Sequence, residues 1–299
     1  MSVLVSTAVA SQNLLGEGAF WDARCQRLWW VDVPMPAKLQ MFEPATGNVE
    51  SYDMPQMVMS MRAKRDGTGL IVATHSGICS FDYTTHGLTH LLSSEPDKPF
   101  SRSNDGGTDA GGRFWFGTMQ NNIARDTTPI EITSSSGTLF RLDPDMTLTT
   151  HESGIKISNT VCWSPDNLTM YFCDTATGVI SAYDFDLEEG RVSNKRPFAR
   201  FDRGAPDGST VDADGCLWNA RWDGGCVVRF TPKGDVDMVI EVPVAKPTSC
   251  AFGGPDLGDL YITTARYGGN AADLAAAPES GNLMVCRPGA KGLAAPEFG

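Results

Sequence analysis

"SRSNDGGTDAGGRFWFG", residues 101–117, and "GAPDGSTVDADGCLWNA", residues 204–220, share one build. An acidic or amide side chain (Asn104, Asp207) is followed by a glycine, a short run, an Asp-rich turn and an apolar strand. Short strands of this kind, divided by "DG", "GG" or "PD" turn signals, recur along the chain as "RLWWVDV", "GLIVATH", "RFWFGTM", "TMYFCDT", "CLWNARW" and "DLYITTA". Their first apolar anchors are Leu28, Leu70, Phe114, Met170, Leu217 and Leu260, at intervals of 42, 44, 56, 47 and 43 residues. That period fits a four-stranded propeller blade.

Further strands follow each hairpin, as "KLQMFEP" and "NVESYDM" do after "RLWWVDV". The long third interval has a visible cause, the inserted "QNNIARDTTPIEITSSS" at residues 120–136. Six repeats predict an all-β, six-bladed β-propeller with four-stranded antiparallel blades, one domain over residues 1–299. "SVLVSTAV", residues 2–9, is expected to close the last blade. A two-sheet sandwich gives no reason for a six-fold register. The closing "PEFG", residues 296–299, reads as extraneous to the fold.

Ten or eleven residues before the anchors lie Glu17, Ser60, Asn104, Asn159, Asp207 and Ser249. The strand entering each hairpin is the innermost of its blade, so these positions converge on one mouth of the central channel. Any one of them alone is most simply a turn residue, because Asn and Asp favour turns for backbone reasons. Their common register is what marks them. Two carboxylates and two amides are hard oxygen donors, suited to Ca²⁺, Mg²⁺, Mn²⁺ or Fe²⁺. An EF-hand is excluded, since neither opening segment has both the twelfth-position Glu and flanking helices; Asp109, Asp212 and Asp214 are expected to shape turns instead. The second strand of each hairpin ends at the same mouth. Asp32, His75, Met119–Asn122, Asp174, Arg221 and Arg266 are therefore expected on its rim, with Arg102 projecting there too. The plainer reading of Arg221 and Arg266 is local charge neutralisation.

A net charge of −12 argues against nucleic acid or an anionic membrane as partner. No run approaches the length of a membrane span, and "MSVLVSTAVASQ" lacks the basic n-region of a signal peptide. The eight cysteines form no C-x-x-C pair and sit mostly in apolar runs, which suits free thiols in a reducing cytoplasm. The four histidines have no H-E-x-x-H spacing, and no G-x-S-x-G elbow is present. A monomer is expected, because neighbouring blades cover one another's sheets.

At "LLGEGAFWD", "RSNDGGTDAGGRFWFGTM", "ISNTVCWSPDNLTMYFCDT", "PDGSTVDADGCLW" and "PTSCAFGGPDLGDLYITTAR" the chain resembles the gluconolactonase/regucalcin (senescence marker protein) family of six-bladed lactonases. The likeness covers nearly the whole chain. It implies a divalent metal (Ca²⁺, Zn²⁺, Mn²⁺, Mg²⁺ or Fe²⁺) on Glu17, Asn159 and Asp207, and substrate contacts from Arg102 and Asn104. Where animal members follow "GTM" with a substrate-contacting Glu, this chain reads "GTMQNN", placing Asn122 near that position. The implied activity is metal-dependent hydrolysis of a sugar aldono-lactone, with Asp207 also the catalytic carboxylate that directs the attacking water. The insertion after "GTM" is a candidate lid. The rival readings are a non-catalytic metal-binding platform and a hydrolase of other esters.

Overall fold

The computed structural model describes residues 3–299, and its strands form six four-stranded antiparallel sheets arranged as the blades of a propeller. The innermost strands of blades 1 to 6 are Gly16–Asp22, Val58–Ala63, Ser101–Thr108, Ser158–Trp163, Ala205–Val211 and Pro247–Gly253. The second strands are Arg27–Asp32, Gly69–Thr74, Phe114–Gln120, Thr169–Asp174, Leu217–Trp222 and Asp259–Thr264. Third and fourth strands follow outward in chain order, except in blade 6. There Leu283–Cys286 is third, and Ser6–Val9 pairs with it as the outermost strand. The expected closing strand is thus borne out over Ser6–Val9; residues 3–5 are not strand, and residue 2 lies outside the described residues. The inner strands of blades 1 and 6 pack together and close the ring.

Burial explains why these strands read as apolar runs and not as clean alternation. A middle strand lies between the faces of two neighbouring blades, so all six residues of Gly69–Thr74 are buried. An outer strand such as Asn48–Asp53 meets solvent and carries mostly polar residues. The core is accordingly a set of inter-blade layers, one of which stacks Trp29 against Tyr83 with ring centroids 5.4 Å apart.

The Asp-rich turns that looked like calcium loops have a mechanical role. Asp109 accepts from the Gly111 and Arg113 amides through one oxygen, and from Arg113 Nε and Trp115 Nε1 (both 2.8 Å) through the other. Asp212 repeats the arrangement with the Asp214 and Cys216 amides, Trp218 Nε1 and Arg229 Nε. Each carboxylate closes its own turn and pins the tryptophan six residues later, which fully accounts for the sequence likeness of the two segments.

Every inner strand also carries a register break, located at residues 17–20, 58–60, 103–106, 159–162, 206–209 and 247–249. A bulge re-aims the side chains beside it, here towards the axis. Gly18 in blade 1 holds φ +62°, and a β-carbon there would come within 2.4 Å of the Met59 carbonyl oxygen.

Connections between second and third strands lie at the mouth where the inner strands begin. Two are extended: residues 121–136 in blade 3, and a segment in blade 6 carrying helix α1 (Ala271–Ala276), capped by the Asn270 side chain. The C-terminal residues contradict the sequence expectation. Phe298 is buried as a member of the apolar cluster that includes Phe114 and Phe116, bridges to Lys64 and exchanges backbone hydrogen bonds with Ala63 and Arg65, while Glu297 pairs with Arg24. A lone aromatic in a short polar tail gave no periodic signal, yet it fills an inter-blade gap. All eight cysteines are unpaired, and no helix among the described residues is long and apolar enough to cross a membrane.

Candidate functional site

Glu17, Arg102, Asn104, Asn122, Asn159 and Asp207 all line one cavity of about 200 Å³ at the mouth where the inner strands start. They come from blades 1, 3, 4 and 5, and the rotation relating blades brings them together across 190 residues of sequence. Two register positions stay out. Ser60 and Ser249 are buried beside the chain of a neighbouring blade, where a β-carbon on Gly106 or Gly208 would lie only 2.7 or 2.6 Å from their hydroxyls.

The polar side chains form a chain of hydrogen bonds. Arg102 donates to Asn122 Oδ1 from Nε (3.2 Å) and Nη2 (2.8 Å), and from Nη1 to Asn104 Oδ1 (2.6 Å) and the Ser103 carbonyl (2.8 Å). Asn104 Nδ2 donates to Asn159 Oδ1 (3.0 Å) and the Ser158 carbonyl, and Asn159 Nδ2 donates to Thr175 Oγ1 (2.8 Å). Thr175 Oγ1 in turn donates to the Pro206 carbonyl, beside Asp207. Of the five Arg102 N–H donors, one on Nη2 remains uncommitted. Asn122 turns its oxygen to Arg102, so its amide N–H₂ faces away from the guanidinium. Tyr267 fixes the Asn122 backbone by donating its hydroxyl to that residue's carbonyl (3.0 Å).

Against this network stand three carboxylates, Asp207 buried and Glu17 and Asp105 half-buried, with no ion-pair partner among the described residues. The Glu17 carboxylate accepts only from the adjacent Gly18 amide, at 3.2 Å. Burial, then the charge of Asp105, pushes its pKa up to about 8. Asp207 is raised well above the carboxylate range by burial and by the Glu17 charge. Asp105, next to Asn104 in the bulge, is raised by burial and partly offset by Arg62. Arg102 is pushed down to about 10 by burial, with the Glu17 charge opposing. Crowded carboxylates that no ion pair neutralises are costly to keep ionised. A hard divalent cation would relieve them, so the donor chemistry fits one. Among the described residues no three His, Cys, Asp or Glu side chains form a metal cluster; here Glu17 and Asp207 would need the Asn159 amide oxygen to complete the set.

The rim expectations divide. Met119 and Asn122 line the cavity, whereas Gln120 accepts from Thr133 and Ser134 and so pins the insertion to its own blade. Asp32 accepts from the Leu14 and Leu15 amides, and Asp174 from the Lys156 and Ile157 amides. Both are loop clamps that set Leu15 and Ile157 into the cavity wall. Arg221 is buried and donates to the Phe201, Arg203 and Gly204 carbonyls; Arg266 donates to Gln12. Neither arginine lines the cavity, nor does either neutralise a carboxylate in contact. Their blade positions reach the rim, but open carbonyls nearby take up their donors. His75 borders a separate cavity with Lys98, behind Arg102.

Sequence reasoning missed Asp105, Thr175, Trp222 and Tyr267. The signal for Asp105 was present in "SND": a bulge brings two successive residues towards the axis, and only the first was counted. Thr175 and Tyr267 follow a second strand by one and three residues, where no register applies.

A family model described as the SMP-30/Gluconolactonase/LRE-like region matches residues 15–266. The chain is 35% identical over 303 residues to a 6-deoxy-6-sulfogluconolactonase of Pseudomonas putida, covering 100% of this chain and 99% of that one. It is 32% identical over 301 residues to regucalcin of Xenopus laevis, covering 99% of each. The crystal structure of a calcium-binding protein, regucalcin, from Agrobacterium tumefaciens superposes with a TM-score of 0.92 at 28% identity, over 100% of this chain and 98% of that one. The chain belongs to the SMP-30/gluconolactonase/LRE-like family.

Proposed function

We propose that the protein is a lactonase that hydrolyses a sugar aldono-lactone to its aldonic acid, using one divalent ion (Ca²⁺, Zn²⁺, Mn²⁺, Mg²⁺ or Fe²⁺) held by Glu17, Asn159 and Asp207. The observation that carries this reading is the cavity itself: uncompensated carboxylates on one side and an arginine–amide chain on the other. The sulfogluconolactonase name of a full-length relative supports the substrate class.

The ion, when bound, supplies Lewis-acid polarisation of the lactone carbonyl. The chain's own groups do the rest. With the ion bound Asp207 stands as a carboxylate, and the role we give it is to direct the attacking water and take its proton. The water oxygen bonds to the carbonyl carbon, the bond from that carbon to the ring oxygen breaks, and the proton passes from Asp207 to the departing ring oxygen. Asn122 presents N–H donors to ring hydroxyls, and the free Arg102 N–H reaches substrate oxygen. Asn104, bonded to both Arg102 and Asn159, fixes their separation. Leu15, Met119, Ile157 and Trp222 make the remaining wall apolar, which limits competing water.

We place the protein in a reducing cytoplasm, as a monomer of one domain; eight unpaired cysteines support the compartment. The direct test is acid release from a panel of aldonolactones, before and after chelation and with each metal restored. Turnover unaffected by a chelator that demonstrably strips the protein would overturn the metal part. No lactone opened by metal-replete protein would overturn the whole.

A further inference from the structure

Asn122 lies outside the blade ladders. It stands two residues beyond its second strand, Phe114–Gln120, where the pairing with the inner strand has ended. Its side-chain oxygen is taken by Arg102, and its Nδ2 group, without a partner among the described residues, is the part left for a ligand. Where Nδ2 points therefore depends on what holds the main chain. Two donors reach the Asn122 carbonyl, the Ile130 amide (2.8 Å) and the Tyr267 hydroxyl (3.0 Å). The first closes a small loop within the insertion, beside the bridge of Ile123 to Pro129. The second reaches out of the insertion, to blade 6.

Tyr267 is itself anchored. Its amide and that of Arg266 donate to the Leu14 carbonyl (2.8 and 3.0 Å), and Lys246 Nζ donates to its own carbonyl (2.7 Å). The ring is buried in the apolar cluster that also holds Leu15 and Ile123. Blades 3 and 6 are not neighbours in the ring, so this one hydroxyl fixes Asn122 relative to a distant part of the frame.

We propose that Tyr267 is a positioning residue for substrate recognition. Through the Asn122 carbonyl its hydroxyl sets the direction of Asn122 Nδ2, and with it the preference for lactones that carry ring hydroxyls. The inference rests on the lactonase reading for its substrate. Nδ2 donates to hydroxyl oxygens, so a lactone without hydroxyls draws nothing from it. Tyr267→Phe keeps the buried ring and deletes the hydrogen bond.

Gluconolactam, whose ring N–H replaces the ring oxygen and which resists hydrolysis, serves as the binding probe, read by calorimetry on metal-replete protein. Turnover of gluconolactone and of δ-valerolactone, which has no hydroxyls, is read on the same preparations. Tyr267→Phe is expected to weaken gluconolactam about two- to tenfold, the worth of one neutral hydrogen bond. It should lower the ratio of kcat/KM for gluconolactone over δ-valerolactone by a similar factor. Asn122→Ala removes the group that Tyr267 positions, so adding Tyr267→Phe to it should weaken binding no further; a tyrosine acting on stability alone would give losses that add. Wild-type affinity in Tyr267→Phe, additive losses, or no saturable gluconolactam binding to wild type overturns the proposal, and so does an unchanged ratio where lactones are opened. If the lactam affinities follow the expected pattern while no lactone is opened, the lactonase reading falls and the positioning role stands.

Discussion

Thr160, directly after Asn159, holds φ +60°, a left-handed conformation unusual for a β-branched residue. Its Oγ1 donates to the Asp207 carbonyl (2.7 Å) and accepts from Ser209 Oγ (2.9 Å), all in a buried setting. The strain is therefore held by a hydroxyl that positions the main chain of Asp207. Thr160→Ala keeps the unfavourable φ and deletes both bonds. At about 0.5–1.5 kcal/mol each, it costs roughly 1–3 kcal/mol of stability. Thr160→Gly deletes the same bonds but releases about 1–2 kcal/mol of left-handed strain, against about 0.5–1 kcal/mol of added chain entropy. Glycine is thus expected to be the more stable variant, by about 0.5–1 kcal/mol on balance. Activity follows a different rule. Both variants lose the hold on Asp207, while Asn219 Nδ2 still donates to its carbonyl at 2.9 Å. Turnover should fall alike in both, about fivefold for roughly 1 kcal/mol of lost positioning. Urea denaturation and lactone turnover on the same preparations separate the two quantities. A glycine variant less stable than the alanine variant, or wild-type turnover in either, would refute the reasoning.

Asp207→Asn and Glu17→Gln should each abolish metal retention and lactone opening while the far-ultraviolet spectrum stays β-rich, because both side chains face the cavity and the substitutions keep their shape; retained metal and turnover in either would contradict the site assignment. Arg102→Met should lower kcat/KM about ten- to a hundredfold with metal content little changed, and lysine should rescue it only in part, lacking the fork that spans Asn104 and Asn122; equal activity in the Met variant would remove Arg102 from substrate binding. Phe298→Ala should cost about 1.5–3 kcal/mol in denaturant melts, and an unchanged midpoint would mean that the tail is not docked in solution. His151 packs on Trp115 at 4.4 Å between ring centroids, and burial pushes its pKa down to about 4. The unfolded chain therefore takes up this proton first as pH falls below about 6.5, so stability drops between there and about 4. His151→Gln should flatten that part of the stability profile, and an unaltered slope would count against a buried neutral imidazole.

The propeller was legible because its defining feature is a repeat, and a repeat is visible even where individual strands are ambiguous. "GLIVAT" alone could be a buried helix segment; six such runs in register, each behind a polar residue at a fixed offset, could not. The same logic placed Glu17, Asn104, Asn159 and Asp207 at one mouth, since rotation symmetry carries a sequence offset into space. Features outside the repeat were out of reach. Thr175 and Tyr267 sit in connections of unequal length, and Phe298 is a lone aromatic side chain after the last strand.

Register predicts where a backbone position lies, not where its side chain spends its hydrogen bonds, and the arginines show the difference. Arg221 lies near the end of its second strand and Arg266 two residues past its own, yet their donors go to nearby oxygens: three carbonyls and the Asn219 amide for Arg221, and the Gln12 amide for Arg266. Arg102 begins an inner strand, where the bulge opens and two amide side chains, Asn104 and Asn122, offer oxygens within the cavity. A buried guanidinium settles on whatever acceptors are closest, because its five N–H groups are costly to leave unpaired. Carboxylates obey the same rule. Asp109 and Asp212, in the turns after the far ends of their inner strands, are saturated by amides, arginine and tryptophan N–H groups. Glu17 and Asp207 face the axis, where the inward strand ends supply few donors. That deficit, more than the presence of acidic residues, distinguishes the candidate site from the turns that look like it.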